Sequence, residues 1–299
     1  MLRRNAIKRI ILSSIAFTIV LLICLFPTKN QLAIPEEIVY VDDITIPIYV
    51  MDTNNYVSRT YIPESKDKQI EYIISSLTIN SIDALYLPNG FYGTIPKGTK
   101  LLDYSIQDNL LKLNFSKEIL NITLEKEEKM IESLIYSLCE IDGISKIMIF
   151  VENELLEKLP ISQKKLPIIL DKSFGINKTY DLSDYKGTSK TTVYYFSKYN
   201  DQLYYIPITK ITNEKLEPVE IIVKELKNTP IYETNLISYL NASYELEDYQ
   251  ILEDSITLSF NNLLLANIND QDITEKVKYT ISLSLRDTYN IDNIIINLN

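Results

Sequence analysis

The stretch Ile95–Phe115 reads IPKGTKLLDYSIQDNLLKLNF, and Leu240–Phe260 repeats it without a gap as LNASYELEDYQILEDSITLSF. Several positions are identical in the two stretches, an agreement that chance rarely places in one frame. The identical pairs are Leu101/Leu246, Asp103/Asp248, Tyr104/Tyr249, Ile106/Ile251, Leu113/Leu258 and Phe115/Phe260. We therefore interpret the chain as a tandem repeat of one structural unit.

Each stretch has the pattern of a β-hairpin. Apolar residues alternate with polar ones on both sides of a polar turn at 107–109, which predicts that one face of each strand is buried. In the first stretch the residues assigned to this buried face are Leu102, Tyr104, Ile106, Leu111, Leu113 and Phe115. The hairpin is entered through Pro96-Lys97-Gly98-Thr99, where proline presets φ and glycine relieves the turn.

Around each hairpin the sequence predicts the same elements, namely an earlier hairpin, two amphipathic helices and a closing strand. Helices are predicted where aliphatic residues recur at i, i+3, i+4 and i+7, as in Ile70–Leu77 and Ile131–Leu138. Short apolar runs between turn residues, such as Lys146–Val151, predict buried strands. The predicted organisation is a basic tail and membrane segment at 1–27, a linker at 28–44, a first α+β unit at 45–158, a connector at 159–190 and a second α+β unit at 191–299.

The N-terminal segment has the pattern of a membrane anchor. Four basic residues precede Ile10–Phe26, an uncharged apolar run that would span about 26 Å as a helix, and Pro27 follows it. The basic residues are Arg3, Arg4, Lys8 and Arg9. They predict a single-pass protein of the cell membrane whose N-terminus is cytoplasmic and whose two units are extracytoplasmic. A cleaved signal peptide is one alternative, although no A-x-A type site closes the run. Lipidation of Cys24 is another, but Ile23 stands where a lipobox has a small residue, which favours the span.

Composition excludes several classes of function. The 299 residues carry a net charge of −10, which opposes the phosphate-neutralising surface of a nucleic-acid-binding protein. The absence of histidine excludes Ser-His-Asp and Cys-His catalysts and His-ligated metals, and no phosphate-binding glycine motif occurs among the six glycines. Acidic pairs such as Glu127/Glu128 are interpreted as solvated surface, because no nucleophile is placed beside them. We expect no enzyme activity, catalytic residue, metal site or cofactor.

The most specific motifs lie in the first unit. The succession IPKGTKLL, LNFSKEIL, an amphipathic helix and IDGISKIMIFVE resembles the GerMN domain of sporulation and spore germination proteins. The resemblance is carried by Pro96, Gly98, Thr99, Phe115 and Ser116. We take these five residues as a candidate motif for interaction and for the fold. The second unit departs from this pattern, since Asn241-Ala242-Ser243-Tyr244 and Asn261-Asn262 replace the turn and the Ser-Lys pair.

The resemblance implies small α/β sandwich modules, similar to the ring-building modules of the mother cell–forespore channel, with two helices each. It further implies a non-enzymatic protein that helps to assemble or localise such an envelope complex, with protein subunits as partners and a homo-oligomer among the options. A cell-wall glycan binder or wall-processing protein is the alternative, indicated by a group of tyrosines. They are Tyr194, Tyr195, Tyr199, Tyr204 and Tyr205, for which packing within strands is the simpler use.

Overall fold

The computed structural model describes residues 45–65, 67–183, 186–200, 202–228, 235–240, 245–261 and 271–298. The apolar run Ile10–Phe26, the linker and Cys24 lie outside the described residues. Among the helices that are described, none is long and apolar enough to cross a membrane.

The first repeat begins with the hairpin β1–β2 and continues through two helices to a four-stranded sheet. Its strands are β1 (Thr45–Asp52), β2 (Val57–Pro63), β3 (Phe91–Tyr92), β4 (Leu101–Gln107), β5 (Leu110–Phe115), β6 (Lys146–Val151) and β7 (Glu154–Leu155). Its helices are α1 (Gln69–Leu77) and α2 (Leu124–Leu138), with 3-10 turns at Asp83–Tyr86 and Lys117–Leu120. The predicted strand Lys146–Val151 is confirmed to the residue.

The connector contributes a 3-10 turn and a strand, and the second repeat then follows the order of the first. The elements are the turn Lys172–Phe174 with the strands β8 (Thr179–Asp181), β9 (Ser189–Tyr199), β10 (Gln202–Thr212), β11 (Leu246–Ile251), β12 (Ser255–Phe260) and β13 (Asn293–Leu298). The helices are α3 (Pro218–Lys227) and α4 (Gln271–Tyr289). In α3, Pro218 occupies the first turn and Glu217 and Glu220 form a reciprocal capping box, which fixes where the helix begins.

Helix burial follows the predicted apolar stripes. Ile73, Ile74 and Leu77 of α1 are buried, and so is the stripe of α2 that contains Ile131 and Leu138. Each such side chain contributes about 1.5–3 kcal/mol when it leaves water. The stripes join the inward residues of the strands in one core that runs through both repeats.

Each repeat ends in a small sheet of the same topology. In the first repeat β4 pairs antiparallel with β5, and β5 pairs parallel with β6 through the crossover helix α2. In the second repeat β11, β12 and β13 are arranged in the same way around α4. A register shift near the start of the hairpin occurs in both copies, between Leu101 and Asp103 and between Leu246 and Asp248. The repeat found in the sequence is therefore a repeat of structure.

One prediction about the hairpin is wrong for its first strand. Leu111, Leu113 and Phe115 of β5 are fully buried as predicted, but Leu102 and Ile106 of β4 are 47% and 52% exposed. Because β4 is the outer strand and contains the register shift, its alternation does not continue the buried face of β5.

A central sheet joins the two repeats. Its order is β3-β1-β2-β10, and β9 pairs with β10 along the opposite side. The antiparallel contact between β2 and β10 is centred on Arg59 and Tyr205, while β8 runs parallel to the far end of β10. The first hairpins of the two repeats thus meet edge to edge and form one sheet.

Candidate functional site

The contact between the repeats is built from equivalent residues. Tyr49 of β1 and Tyr194 of β9 are 145 positions apart, the same interval that separates the two sequence stretches, and their hydroxyl oxygens lie 2.7 Å from each other. The backbone N–H of Tyr49 donates to Ser137 Oγ at 2.9 Å, and that of Tyr194 donates to Ser284 Oγ at 2.9 Å. The repeats are therefore related by an approximate two-fold axis that passes between the two tyrosines.

Two carboxylates flank this axis at equivalent places. Glu140 follows the end of α2, and Asp287 lies in the last turns of α4. The connector places Lys172 between them, and its ammonium donates to Glu140 Oε1 at 2.7 Å and to Asp287 Oδ1 at 2.8 Å. One cation thus bridges the two halves of the duplicated fold.

Two arginines complete what we call the ion network, which consists of Arg59, Glu140, Lys172, Arg286 and Asp287. Arg286 binds Glu140 through both terminal nitrogens, at 3.2 and 2.6 Å, and donates from Nε to Asp287 Oδ1 at 3.0 Å. Arg59 lies 3.6 Å from Glu140 Oε2. The carboxylate side chains of Glu140 and Asp287 are 7% and 0% exposed, so the charge-assisted contacts to them are largely shielded from water.

The charges of the network fix its protonation states. Burial by itself would raise the pKa of Asp287, but Lys172 and Arg286 outweigh it and hold that pKa at about 2. Burial would also raise the pKa of Glu140, but the positive charges of Lys172 and Arg286 outweigh burial and lower that pKa. Burial would lower the pKa of Lys172, and Asp287 and Glu140 instead raise it. Every ion of the bridge therefore keeps its charge near neutral pH.

The two central tyrosines keep their protons. Burial first, and then the neighbouring acidic groups, raise the pKa values of Tyr49 and Tyr194 well above the ordinary value. The hydroxyl of Tyr194 donates to Asp287 Oδ2. Groups locked in one protonation state suit a structural bridge and do not suit proton transfer.

A polar cleft of about 700 Å³ opens beside the ion network. Its wall includes Cys139, Asp171 and Lys190 together with the partly exposed sides of Lys172 and Arg286. Burial raises the pKa of the Cys139 thiol to about 12, so this sulfur stays protonated and is a poor nucleophile. The described residues contain no group of three or more potential metal ligands.

Asn177 forms a second junction, at the place where β2 and β10 separate. Its side-chain amide donates to the carbonyls of Val57 and Pro207, each at 2.8 Å, and its Oδ1 accepts from Val57 N at 2.9 Å. Its backbone N–H donates to Glu132 Oε2 at 3.1 Å, and its φ of 46° is one that asparagine tolerates well. The connector thus satisfies backbone groups of both repeats at once.

The connector is also bound to α2. Glu127 is buried and accepts the backbone N–H groups of Ile161 and Ser162 at 2.7 and 3.1 Å. Lys178 binds Glu128 at 2.6 Å. The interpretation as solvated surface is therefore wrong for Glu127, because a segment some 35 residues along the chain folds back onto it, whereas Glu128 remains partly exposed.

The candidate motif of the first repeat lies at the base of the second hairpin. Thr99 N and Oγ1 contact Pro96 O at 3.2 and 2.8 Å, and Gly98 has a φ of 85°. Ser116 N donates to Lys100 O at 2.9 Å, and Lys100 N donates to Ser116 Oγ at 3.0 Å. Phe115 is fully buried beside this contact. The motif closes the hairpin and is separate from the ion network.

The second repeat keeps this closure with other residues. Glu245 N donates to Asn261 Oδ1 at 3.2 Å, and Asn261 N donates to Glu245 O at 3.1 Å. An asparagine therefore performs the hydrogen bonding that Ser116 performs in the first repeat. The turn Asn241–Tyr244 lies outside the described residues.

Sequence reasoning did not single out any member of the ion network. One signal was present, because Glu140 falls opposite Arg286 and Asp287 when the repeats are aligned with the offset of their last helices, near 146. Charged residues at the ends of equivalent helices can meet across an axis between the repeats. Lys172 carried no such signal, since the connector has no counterpart in the repeat.

Comparisons with known proteins agree with this fold. Residues 47–157 match the family described as Germane, sporulation and spore germination. The chain is 26% identical over 262 residues to the spore germination protein GerM of Bacillus subtilis (strain 168), covering 84% of this chain and 70% of that protein. A solved structure of the tandem GerMN domains of the sporulation protein GerM from Bacillus subtilis superimposes with a TM-score of 0.76 at 23% identity, covering 86% of this chain and 91% of that one. The chain is thus similar to GerM over most of its length and shares the fold of its tandem GerMN domains, and its first repeat matches the Germane family.

Proposed function

We propose that this chain is a non-enzymatic, membrane-anchored protein that helps to assemble or localise an envelope complex during sporulation or germination, such as the mother cell–forespore channel. The observation that carries the proposal is the ion network, which clamps two GerMN domains into one body. A rigid tandem body can hold two partner surfaces at a fixed distance and angle. Its buried ions are used for this clamp and are not available for catalysis.

The physical cost of the network supports a positional role. Burying ions is expensive, and apolar residues of similar size often give equal or greater stability. Buried ions instead favour one specific arrangement, because any arrangement that leaves a buried charge unpaired is unfavourable. A network that ties Glu140, Asp287 and the connector residue Lys172 selects one orientation of the repeats among several that apolar packing would allow.

The alternative of a wall-glycan binder receives less support. Three of the five grouped tyrosines, Tyr194, Tyr195 and Tyr204, are buried in strands, where they are not available to stack on sugar rings. Incubation of the purified chain with peptidoglycan separates the two functions. Sedimentation with the wall material or release of soluble fragments would favour the alternative.

Membrane anchoring is part of the proposal and has its own test. A variant with Leu21→Arg and Leu22→Arg places two charges inside the apolar run Ile10–Phe26, where each is costly in the bilayer. Asn30→Arg with Gln31→Arg adds the same charges just beyond the run. We expect the first variant to leave the membrane fraction of sporulating cells and the second to remain there. Equal fractionation of the two variants would contradict the anchor.

Crosslinking with mass spectrometry in sporulating cells of the source organism tests the assembly role. We expect crosslinks from the GerMN domains to other envelope proteins in the wild-type chain. Lys172→Met, which weakens the clamp, is expected to lose most of them at equal protein abundance, whereas Lys190→Met in the same cleft is expected to keep them. Recovery of no envelope protein, or an unchanged pattern in Lys172→Met, would refute the proposal.

A further inference from the structure

The two small sheets differ at one edge. In the first repeat the outer edge of β6 is covered by chain that follows it: Ile147 exchanges two backbone hydrogen bonds with Leu170, at 2.8 and 2.9 Å. Leu156 N donates to Ile149 O at 2.9 Å, and β7 pairs with the end of β6. Ile147 and Ile149 are consequently 0% and 2% exposed.

In the second repeat β13 holds the place of β6. Ile294 pairs with Ile256 in the parallel ladder, as Ile147 pairs with Leu111 in the first repeat. Within the part of the chain that the structure describes, no backbone hydrogen bond reaches the outer side of β13. Ile294 and Ile296, which occupy the positions of Ile147 and Ile149, are only half-buried. Among the described residues, none covers the edge of β13 that corresponds to the covered edge of β6.

The outer edge of β13 also lacks the sequence features that prevent sheet edges from pairing with other strands. Asn293–Leu298, NIIINL, contains no charged residue and no proline, and its ladder with β12 has no register shift. By contrast, β11 at the opposite edge of this sheet carries Glu247 and Asp248 and a register shift. A short uncharged strand of high β-propensity readily accepts another strand. The outer edge of β13 is therefore suited to pairing with a further strand.

The first repeat shows what such an edge accepts. Its cover runs antiparallel to β6 with an aliphatic side chain, Leu170, opposite Ile147 and buried. If a strand that binds β13 adopts the same antiparallel register, its aliphatic residue lies opposite Ile294. The residue two positions later in that strand then lies opposite Asp292. Glu253 and Asp254 lie in the turn before β12, at the same end of the sheet. An occupant is therefore favoured when a basic residue follows its aliphatic residue.

We propose that β13 binds an extended segment of a partner protein by strand addition, antiparallel, with an aliphatic residue opposite Ile294 and a lysine or arginine two residues later. The inference deepens the proposed function, since it names a surface through which a GerMN domain can hold a complex subunit. Its test uses purified protein, so failure here leaves the assembly role in cells to be judged by crosslinking.

The probe is a fluorescent peptide with the sequence of residues 165–172, KLPIILDK, which carries Leu170 and Lys172 in the required spacing. Binding to the full chain, solubilised in mild detergent, is followed by fluorescence anisotropy. A second peptide is N-methylated at Leu170, which removes the N–H that would donate to Ile294 O. We expect it to bind at least about tenfold more weakly. A third peptide with Lys172→Glu is expected to bind more weakly than the first, by a factor that shrinks as salt is raised.

Two protein variants locate the site. Ile294→Pro removes the outward N–H of β13 while the ladder to β12 uses the alternate residues, and Ile294→Ala removes the same side-chain packing but keeps the N–H. We expect at least a tenfold loss of peptide binding for Ile294→Pro relative to Ile294→Ala. The N-methylated peptide provides the same comparison with unaltered protein if Ile294→Pro does not fold.

Loss of binding in both the N-methylated peptide and Ile294→Pro supports strand addition at β13. Equal binding of the N-methylated and parent peptides overturns it, and so does undiminished binding to Ile294→Pro. Absence of binding by the parent peptide also overturns it. In that case, a dimer of the full chain by light scattering that Ile294→Pro dissociates would assign the edge to a second copy of this chain.

Discussion

Replacing Lys172 by methionine is the sharpest test of the clamp between the repeats. Methionine keeps much of the volume of the lysine stem and removes only the ammonium. Glu140 and Asp287 then lose hydrogen bonds of 2.7 and 2.8 Å while remaining buried. The two like charges stay in one site with Arg286 as their main remaining partner.

The size of the effect follows from these contacts. Each hydrogen bond to a charged group is worth about 1.5–3 kcal/mol, and breaking a buried ion pair by removing one partner costs about 3–5 kcal/mol. Because Arg286 continues to bind both carboxylates, we place the loss at the lower end, about 3 kcal/mol. For a folded unit of this size each kcal/mol lowers Tm by about 2–4 °C, so the expected fall is roughly 6–12 °C.

Differential scanning calorimetry of the purified chain measures this fall. Lys190→Met is the matched control, because Lys190 lines the same cleft but is exposed and donates to a backbone carbonyl, Ser173 O, at 2.8 Å. Exposed substitutions of this kind change stability by about 0.5 kcal/mol or less. A Tm for Lys172→Met that matches that of Lys190→Met would refute the reasoning and would mean that the Lys172 ammonium does not stabilise the contact between the repeats.

Three further predictions concern acid, a buried amide and a close backbone approach. Since the pKa of Asp287 is about 2 in the folded chain and near 4 when unfolded, its stabilisation is present above pH 4 and is lost as pH falls towards 2. Acid titration of urea unfolding should show this loss, roughly 2 kcal/mol, in the wild type and not in Asp287→Asn. Asn177→Ala leaves the N–H and carbonyl of Val57 without their side-chain partner and is expected to cost about 3 kcal/mol in urea unfolding, and an effect below about 1 kcal/mol would contradict the junction. Gly93→Ala would place a Cβ 2.4 Å from Leu77 O, so we expect a loss of about 1–3 kcal/mol in the same assay, and wild-type stability would show that the backbone at Gly93 can shift away from Leu77.

Local pattern was sufficient for most elements because their signals lie within a few residues. The stripe of α2 buries one face of the helix, and the run Lys146–Val151 forms a strand that buries Ile147, Ile149 and Val151; both elements were predicted in the right place. Period-two alternation failed in β4, where Leu102 and Ile106 are exposed. That failure has a tertiary cause, since an outer strand with a register shift need not share the buried face of its neighbour.

The repeat and the order of its elements were determined by the sequence alone, because duplicated hydrophobic patterns are readable without knowing what packs against what. The GerMN-like fold was implied by the resemblance of the motifs in the first unit. The meeting of the repeats was decided only in three dimensions. Glu140, Lys172 and Asp287 are far apart in the chain, and by composition each would be assigned to a solvated surface. Only the pairing of β2 with β10 brings them together, because it sets the axis on which equivalent helix ends converge and the connector supplies the shared cation.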